Sequence, residues 1–302
     1  VHTKHIQRQV NGVLLLNKAA GCTSNQVLQR VKRLFMAAKA GHTGNLDPFA
    51  TGLLPICLGE ATKFSHYLLD ADKAYRAVLK LGVMTSTGDT EGEVISTKPT
   101  DHFTFTDVER VVSAFRGEIS QMPPMHSALK YQGRPLYTYA RRGLEVARRS
   151  RMVSIHAIRL QKLEGNLAEI VVVCSKGTYI RVLAEDIGKA LGCGAHLVEL
   201  ERLSIAEFYV QSAYTLEQLT EMTEDERDLC LLPVDVLLAH LPGIDLDEEC
   251  AMFFCQGQAV WKSGTRPTGL LRVYKEGHHF LGLGEVLGDG RITPRRLVRL
   301  KH

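Results

Sequence analysis

The segment Gly41-His42-Thr43-Gly44-Asn45-Leu46-Asp47-Pro48-Phe49-Ala50-Thr51-Gly52 offers one acid in a frame of glycines, small polar residues and apolar residues. Gly41, Gly44 and Gly52 give the backbone turn conformations closed to other residues, and Pro48 fixes φ directly after the acid. Such a frame holds a single carboxylate, Asp47, rigidly and lets a large substrate approach the main chain. The same residues also suit a plain strand–turn–helix connection in which Asp47 is a solvated or capping side chain. Other patterns with chemical meaning fall away. Ser127-Ala128-Leu129-Lys130 has a Ser-x-x-Lys spacing, but no Ser-Asp-Asn follows and Lys176-Gly177-Thr178 has the wrong order for its partner motif. Gly282-x-Gly284 has Leu287 where a dinucleotide loop needs its third glycine. The histidines show no ligand pairs four residues apart, so no metal site is expected.

The elements that must position Asp47 are legible from periodicity. Gly12 to Leu16 reads as a buried strand, and Ser24 as the cap of a helix carrying Val27, Val31 and Leu34 at helical spacing. From Ala74 to Gly82, Tyr75, Ala77, Leu79 and Leu81 share one face and Arg76 and Lys80 the other, the period of a half-buried strand. Leu167 to Cys174 is a β-branched strand. Thr178 to Leu191 turns helical, with Ile180, Leu183, Ala184 and Ile187 along one side. Strands and helices do not alternate regularly, which predicts an α+β fold with a mixed, mainly antiparallel sheet.

The net charge of +4 conceals an uneven distribution. From Ala251 onward nine Lys or Arg (Lys262, Arg266, Arg272, Lys275, Arg291, Arg295, Arg296, Arg299, Lys301) face three acids, a surplus of six. Arg134, Arg141, Arg142, Arg148, Arg149 and Arg151 form a second basic run against Glu145 alone, interleaved with Tyr131, Tyr137 and Tyr139. Two basic clusters on a nearly balanced chain favour a polyanion, above all nucleic acid. The second run reads as an insertion over roughly 122–152 that closes on a ligand. Pro242-Gly243 marks a boundary between residues 1–243 and a small β-rich module, 244–302, punctuated by glycines that include Gly257, Gly264, Gly269 and Gly277. The seven cysteines are odd in number and unpaired in spacing, which predicts mostly small buried hydrophobes rather than a disulfide framework or zinc site. The longest apolar runs are too short to span a bilayer, and no signal-peptide core opens the chain, so a cytoplasmic location is expected.

His42-Thr43-Gly44-Asn45-Leu46-Asp47-Pro48, followed by Ala50-Thr51-Gly52 and Leu58-Gly59-Glu60-Ala61-Thr62-Lys63, resembles the signature of bacterial tRNA pseudouridine synthases of the T-loop type. Three further blocks agree in order: Tyr75 with Leu81-Gly82 and Thr85-Ser86-Thr87-Gly88-Asp89; Met122-Pro123-Pro124-Met125-His126-Ser127-Ala128; and Lys176-Gly177-Thr178-Tyr179-Ile180-Arg181. The glycine-rich tail is similar, more weakly, to that family's PUA RNA-binding domain.

The resemblance implies isomerisation of uridine 55 in the tRNA T-loop by base flipping, with cleavage and re-formation of the glycosidic bond. It implies no cofactor, no obligate protein partner and a monomer that contacts T-loop, T-stem and, through the tail, acceptor stem. Asp47 takes the role of the essential acid, Arg181 that of its guanidinium partner, and Tyr75 that of the ring stacked on the flipped base. Burial raises a carboxylate's pKa and a bound guanidinium opposes the rise. Base stacking is worth about 1–3 kcal/mol, enough to offset much of the cost of unstacking. Tyr179 and Leu200 line the nucleotide pocket by the same resemblance, and His42 enters the space left by extruded bases. From the basic run itself, Arg141, Arg142 and Arg148 are the candidate RNA-binding residues of the insertion. Lys18 is structural. Asn17-Lys18-Ala19 departs from a family motif that commonly ends in Lys-Pro, which loosens that turn. An RNA-folding factor with little catalysis is the competing expectation.

Overall fold

The computed structural model describes residues 7–262 and 268–299; Gly264, Arg266 and Lys301 of the tail pattern lie outside the described residues. Strand β1 (Gly12–Lys18) leads through helix α1 (Ser24–Leu34) to the short β2 (Ala40–His42) and then β3 (Thr51–Leu58). A 3₁₀ turn, Gly59–Lys63, and helix α2 (His66–Leu69) precede β4 (Lys73–Leu81). The hairpin of β5 (Val83–Thr85) and β6 (Val94–Thr97) follows, then α3 (Phe105–Ser113) and β7 (Gly117–Gln121). The next excursion carries β8 (Lys130–Tyr131), β9 (Arg134–Pro135) and α4 (Leu136–Ala140). It returns into β10 (Arg151–Glu164), β11 (Leu167–Cys174), α5 (Ile180–Ala190) and β12 (Ala195–Ile205).

The main sheet runs β1-β3-β12-β4-β11-β10-β7, with β2 added on β3. Its pairings are antiparallel except β3 with β12, which pair parallel through Glu201↔Thr51 and Arg202↔Gly52. The fold is therefore α+β with a mixed, mainly antiparallel sheet. Strand β4 lies between β12 and β11, and its alternation works as its sequence predicts. Tyr75, Ala77, Leu79 and Leu81 enter the main core with Val27, Val31, Leu183 and Ile187 from the helices. On the other face Arg76 bridges Glu169 at 2.7 Å and Glu199 at 3.0 Å across the neighbouring strands.

Helix α1 is capped by Thr23, not Ser24. The Thr23 side chain accepts from the Gln26 N–H and Gln26 reaches back to the Thr23 N–H, a reciprocal cap. Ser24, already inside the helix, uses its hydroxyl differently: it donates to Leu46 O at 3.1 Å and accepts from Leu46 N–H at 2.8 Å. The start of α1 is thereby tied to the residue before Asp47. Cysteine burial is also narrower than expected: Cys57, Cys174 and Cys193 are buried, whereas Cys22, Cys230, Cys250 and Cys255 are half-exposed.

After β12 come β13 (Phe208–Tyr209), helices α6 (Leu216–Glu221) and α7 (Glu224–Leu229) and a 3₁₀ turn, Val234–Leu238. A second sheet of four strands, β14 (Gly243–Leu246), β15 (Gly269–Lys275), β16 (His279–Val286) and β17 (Ile292–Leu297), carries helix α8 (Glu248–Cys255). It opens at Gly243 and forms the β-rich C-terminal part. Leu283 joins a second core of Val13, Leu53, Phe64 and Leu238, with Leu270 and Phe280 packed on it, so the two sheets share an apolar seam. Among the described residues no helix is long and apolar enough to cross a membrane.

Candidate active site

Segments distant in sequence meet at a cleft of about 560 Å³: the Gly44–Asp47 turn, the middle of the sheet at Tyr75, Cys174 and Leu200, the His126–Leu129 stretch and the start of α5. Strands β4 and β12 place Tyr75 and Leu200 on the cleft floor, each 8 % exposed. Helix α5 begins at Ile180, and its N-cap residue Tyr179 is clasped through the main chain. The fully buried Gln121 accepts from the Tyr179 N–H at 2.9 Å and donates to its carbonyl at 3.2 Å. That clasp fixes the first turn, from which Arg181 reaches the acid.

The Arg181 Nε lies 3.1 Å from Asp47 Oδ2. Its Nη1 lies 3.3 Å from Asp89 Oδ2, and its Nη2 donates to the His126 carbonyl at 2.6 Å. A cation near a helix N-terminus opposes the helix dipole, and two carboxylates compensate here. Asp89 is only 2 % exposed and also accepts from the Thr87 hydroxyl and the Glu91 N–H. Burial pushes the Asp47 carboxyl above its ordinary pKa; the Arg181 guanidinium opposes that rise and Asp89 adds to it. Asp47 keeps 38 % of its side chain exposed, facing the cleft. An arginine-steered carboxylate beside an aromatic ring can attack or assist at a nucleotide's glycosidic centre.

The other residues expected at the site divide. Tyr179 lines the cleft, with the Arg151 guanidinium 4.8 Å over its ring. His42 does not line it. It sits half-buried on β2, burial lowers its pKa, and its Nδ1 has no hydrogen-bond partner among the described residues. In the excursion, Arg141 and Arg142 are exposed and Arg141 lies 5.4 Å from the Tyr137 ring centroid. Arg148 is half-buried and already committed, donating to Pro123 O at 3.0 Å and to Glu145 at 2.7 Å.

The sequence reading passed over Asp89, Lys73 and Arg202 as site residues. Asp89 sits in the quoted Thr-Ser-Thr-Gly-Asp turn, and an acid framed by a glycine was an available signal. Lys73 and Arg202 gave none, because a lone cation in an alternating strand reads as solvated. Both line the cleft and both are buried. Lys73 donates to Leu69 O at 3.1 Å and Ala71 O at 2.6 Å, and burial lowers its pKa to about 8.

A carboxylate paired with a guanidinium and set beside a buried aromatic ring on this mixed sheet suits a nucleotide isomerase of the pseudouridine-synthase class. The fold agrees. The Cbf5 structure from a Cbf5-Nop10-Gar1 complex superposes with a TM-score of 0.70 at 27 % identity, covering 96 % of this chain and 84 % of that one. An archaeal box H/ACA sRNP Nop10-Cbf5 complex gives 0.69 at 23 % identity, over 96 % of this chain and 86 % of that one, a likeness of fold. Residues 32–180 match the model of the TruB family pseudouridylate synthase N-terminal domain. Residues 181–239 match the tRNA pseudouridylate synthase B C-terminal domain, and 242–298 the pseudouridine synthase II TruB C-terminal model. Proteins named tRNA pseudouridine synthase B are 56 % identical in Methylobacillus flagellatus (98 % of each chain) and 49 % identical in Vibrio parahaemolyticus (96 % of each chain). The chain belongs to the TruB family of pseudouridylate synthases, and it is an isomerase.

Proposed function

We propose that the protein converts uridine 55 of the tRNA T-loop to pseudouridine after flipping that nucleotide into the cleft. The observation that carries this reading is the Asp47–Arg181 contact at 3.1 Å beside Tyr75 and Leu200. In this reading Asp47 works as the ionised acid at the glycosidic centre, Arg181 keeps it ionised and aimed, and Tyr75 stacks on the uracil. Tyr179 and Leu200 close the pocket around the nucleotide. His42 acts outside the cleft, in the space vacated by extruded bases. The N1–C1′ bond breaks, uracil turns, and a C5–C1′ bond forms; the carbon-5 proton passes to solvent and N1 takes one up, so atoms balance without a cofactor.

Arg141, Arg142 and, through a rearranged side chain, Arg148 contact RNA from the 122–152 excursion. Residues 244–302 serve as a PUA-like module on the acceptor stem, joined to a catalytic domain of residues 1–243. The protein works as a cytoplasmic monomer without an obligate protein partner. The exposure of Arg141 and Arg142 and the tail's basic surplus support the RNA contacts.

The test is tritium release from a tRNA transcript labelled at carbon 5 of uridine. Release by wild type and none by Asp47→Asn, with tRNA affinity retained, is the expected result. Wild-type-like turnover by that variant refutes the role of Asp47. A folded, tRNA-binding wild type that releases nothing would favour the folding-factor reading instead.

A further inference from the structure

We infer that Arg202 is a positioning residue for the isomerisation: it sets the Asp47 turn and the Tyr75 ring against one another without itself contacting RNA. The inference rests on the isomerase reading, and wild-type tritium release establishes that reading before any Arg202 variant is scored.

Arg202 sits on β12 opposite Tyr75 of β4 and is 1 % exposed, among the largest fully buried side chains. Its Nε donates to Leu53 O at 2.7 Å, Nη1 to Asn45 O at 3.4 Å and Nη2 to Gly44 O at 3.4 Å. It faces Tyr75 across the β4–β12 pair, and guanidinium and phenol interact electrostatically. Three carbonyls take up three of the five N–H groups of the guanidinium. Among the described residues no carboxylate pairs with Arg202. The side chain thus grips the turn on both flanks of Asp47, at Gly44–Asn45 before it and Leu53 after it, and faces the stacking ring.

The main chain reinforces this. Arg202 pairs with Gly52 at the parallel β3–β12 contact, where a Cβ on Gly52 would stand 2.4 Å from Arg202 O. The last glycine of the Asp47 segment is therefore required by the same residue whose side chain holds the segment's beginning. Burying a cation with no carboxylate is costly, and burial lowers the Arg202 pKa accordingly. A residue needed only to fill core would be apolar. A planar fork that joins three separate carbonyls fixes geometry, and misplacing a reacting group by about 1 Å can cost about a hundredfold in rate.

The experiment compares wild type, Arg202→Lys and Arg202→Ala in single-turnover tritium release, tRNA binding and thermal melting. Arg202→Lys keeps the charge and loses the fork. It is expected to melt cooperatively, to bind tRNA within about threefold of wild type and to turn over about tenfold to a hundredfold more slowly. For Arg202→Ala, millimolar methylguanidinium is expected to restore rate without changing affinity. Combining Arg202→Lys with Tyr75→Phe should cost less than the product of the two single losses, since the two side chains interact as cross-strand partners. A folded Arg202→Lys enzyme with wild-type rate overturns the inference. So does a rate loss matched by an equal loss of tRNA affinity, which would make Arg202 an RNA contact. Absence of a cooperative melt in both variants, with no rescue by methylguanidinium, would make it a residue of the fold alone and overturn the inference too.

Discussion

Asp47 and Asp89 hold one guanidinium between them, Arg181 placing Nε 3.1 Å from the first and Nη1 3.3 Å from the second. The two acids differ in access: Asp47 faces the cleft, while Asp89 is sealed beneath it. Asp89 therefore anchors Arg181 so that Arg181 can aim Asp47.

A lysine at position 181 keeps the charge but cannot span both acids and the His126 carbonyl. Arg181→Lys is expected to reduce single-turnover rate by about a hundredfold while leaving tRNA affinity nearly unchanged. Arg181→Met strands Asp89 with no cation and is expected to lower unfolding free energy by about 3–5 kcal/mol in chemical denaturation. A melt indistinguishable from wild type would show that the Thr87 and Glu91 hydrogen bonds satisfy Asp89 unaided.

Because the Asp47 pKa is raised in the folded protein, the folded state holds that proton more tightly than the unfolded chain. The stability contributed by protonation is complete below the ordinary value of 3.8 and is lost as pH rises through the raised one. Asp47→Asn mimics the protonated form, so it should melt above wild type at neutral pH and lose that advantage below about pH 4. The same change is expected to abolish tritium release. An enzyme whose stability falls on this substitution at pH 7 would mean the Arg181 attraction outweighs burial.

Much of the site was legible because it follows local rules. The alternation around Tyr75 and the helical spacing after Thr178 placed two of the site elements, and both stand where their periods put them. The Asp47 turn announced itself through glycines. What local pattern does not carry is the destination of a buried cation. Arg202 finds its acceptors about 150 positions away, at Gly44, Asn45 and Leu53, and only sheet order brings them together. The Thr23–Ser24 reversal is of the same kind. Either residue can cap, and a contact to Leu46, twenty-two positions on, decides which one does.

Lys73 lies beside Arg202 in the same cleft, and its pKa falls to about 8. The unfolded chain binds this proton up to the ordinary 10.5, so between the two values unfolding takes up a proton and stability rises with pH. Urea titrations of wild type and Lys73→Met are expected to diverge across that window, wild type gaining relative to the variant. At pH 7 the variant loses two hydrogen bonds to carbonyls yet sheds a buried charge, so the difference there should be small. Parallel curves from pH 7 to 11 would place the Lys73 ammonium in solvent.

Lys18 answers the question raised by Ala19, where the family motif commonly has proline. Its ammonium, 1 % exposed at residue level, donates to Ala19 O and Cys22 O at 2.8 Å each, and to Pro48 O at 3.3 Å. The Gly21 N–H also donates to Pro48 O, at 2.9 Å. The turn that lacks a proline is thus fastened by a side chain, and its fastening extends to the carbonyl directly after Asp47. Lys18→Met removes the cationic donor from the Ala19, Cys22 and Pro48 carbonyls, leaving Pro48 O only the Gly21 N–H, and should cost about 1–3 kcal/mol of stability. Because one of those acceptors belongs to Pro48, the variant should also slow tritium release at saturating tRNA, with affinity retained. Loss of stability without loss of rate would confine Lys18 to the Ala19–Cys22 turn and leave the aim of Asp47 to Arg181, Ser24 and Arg202.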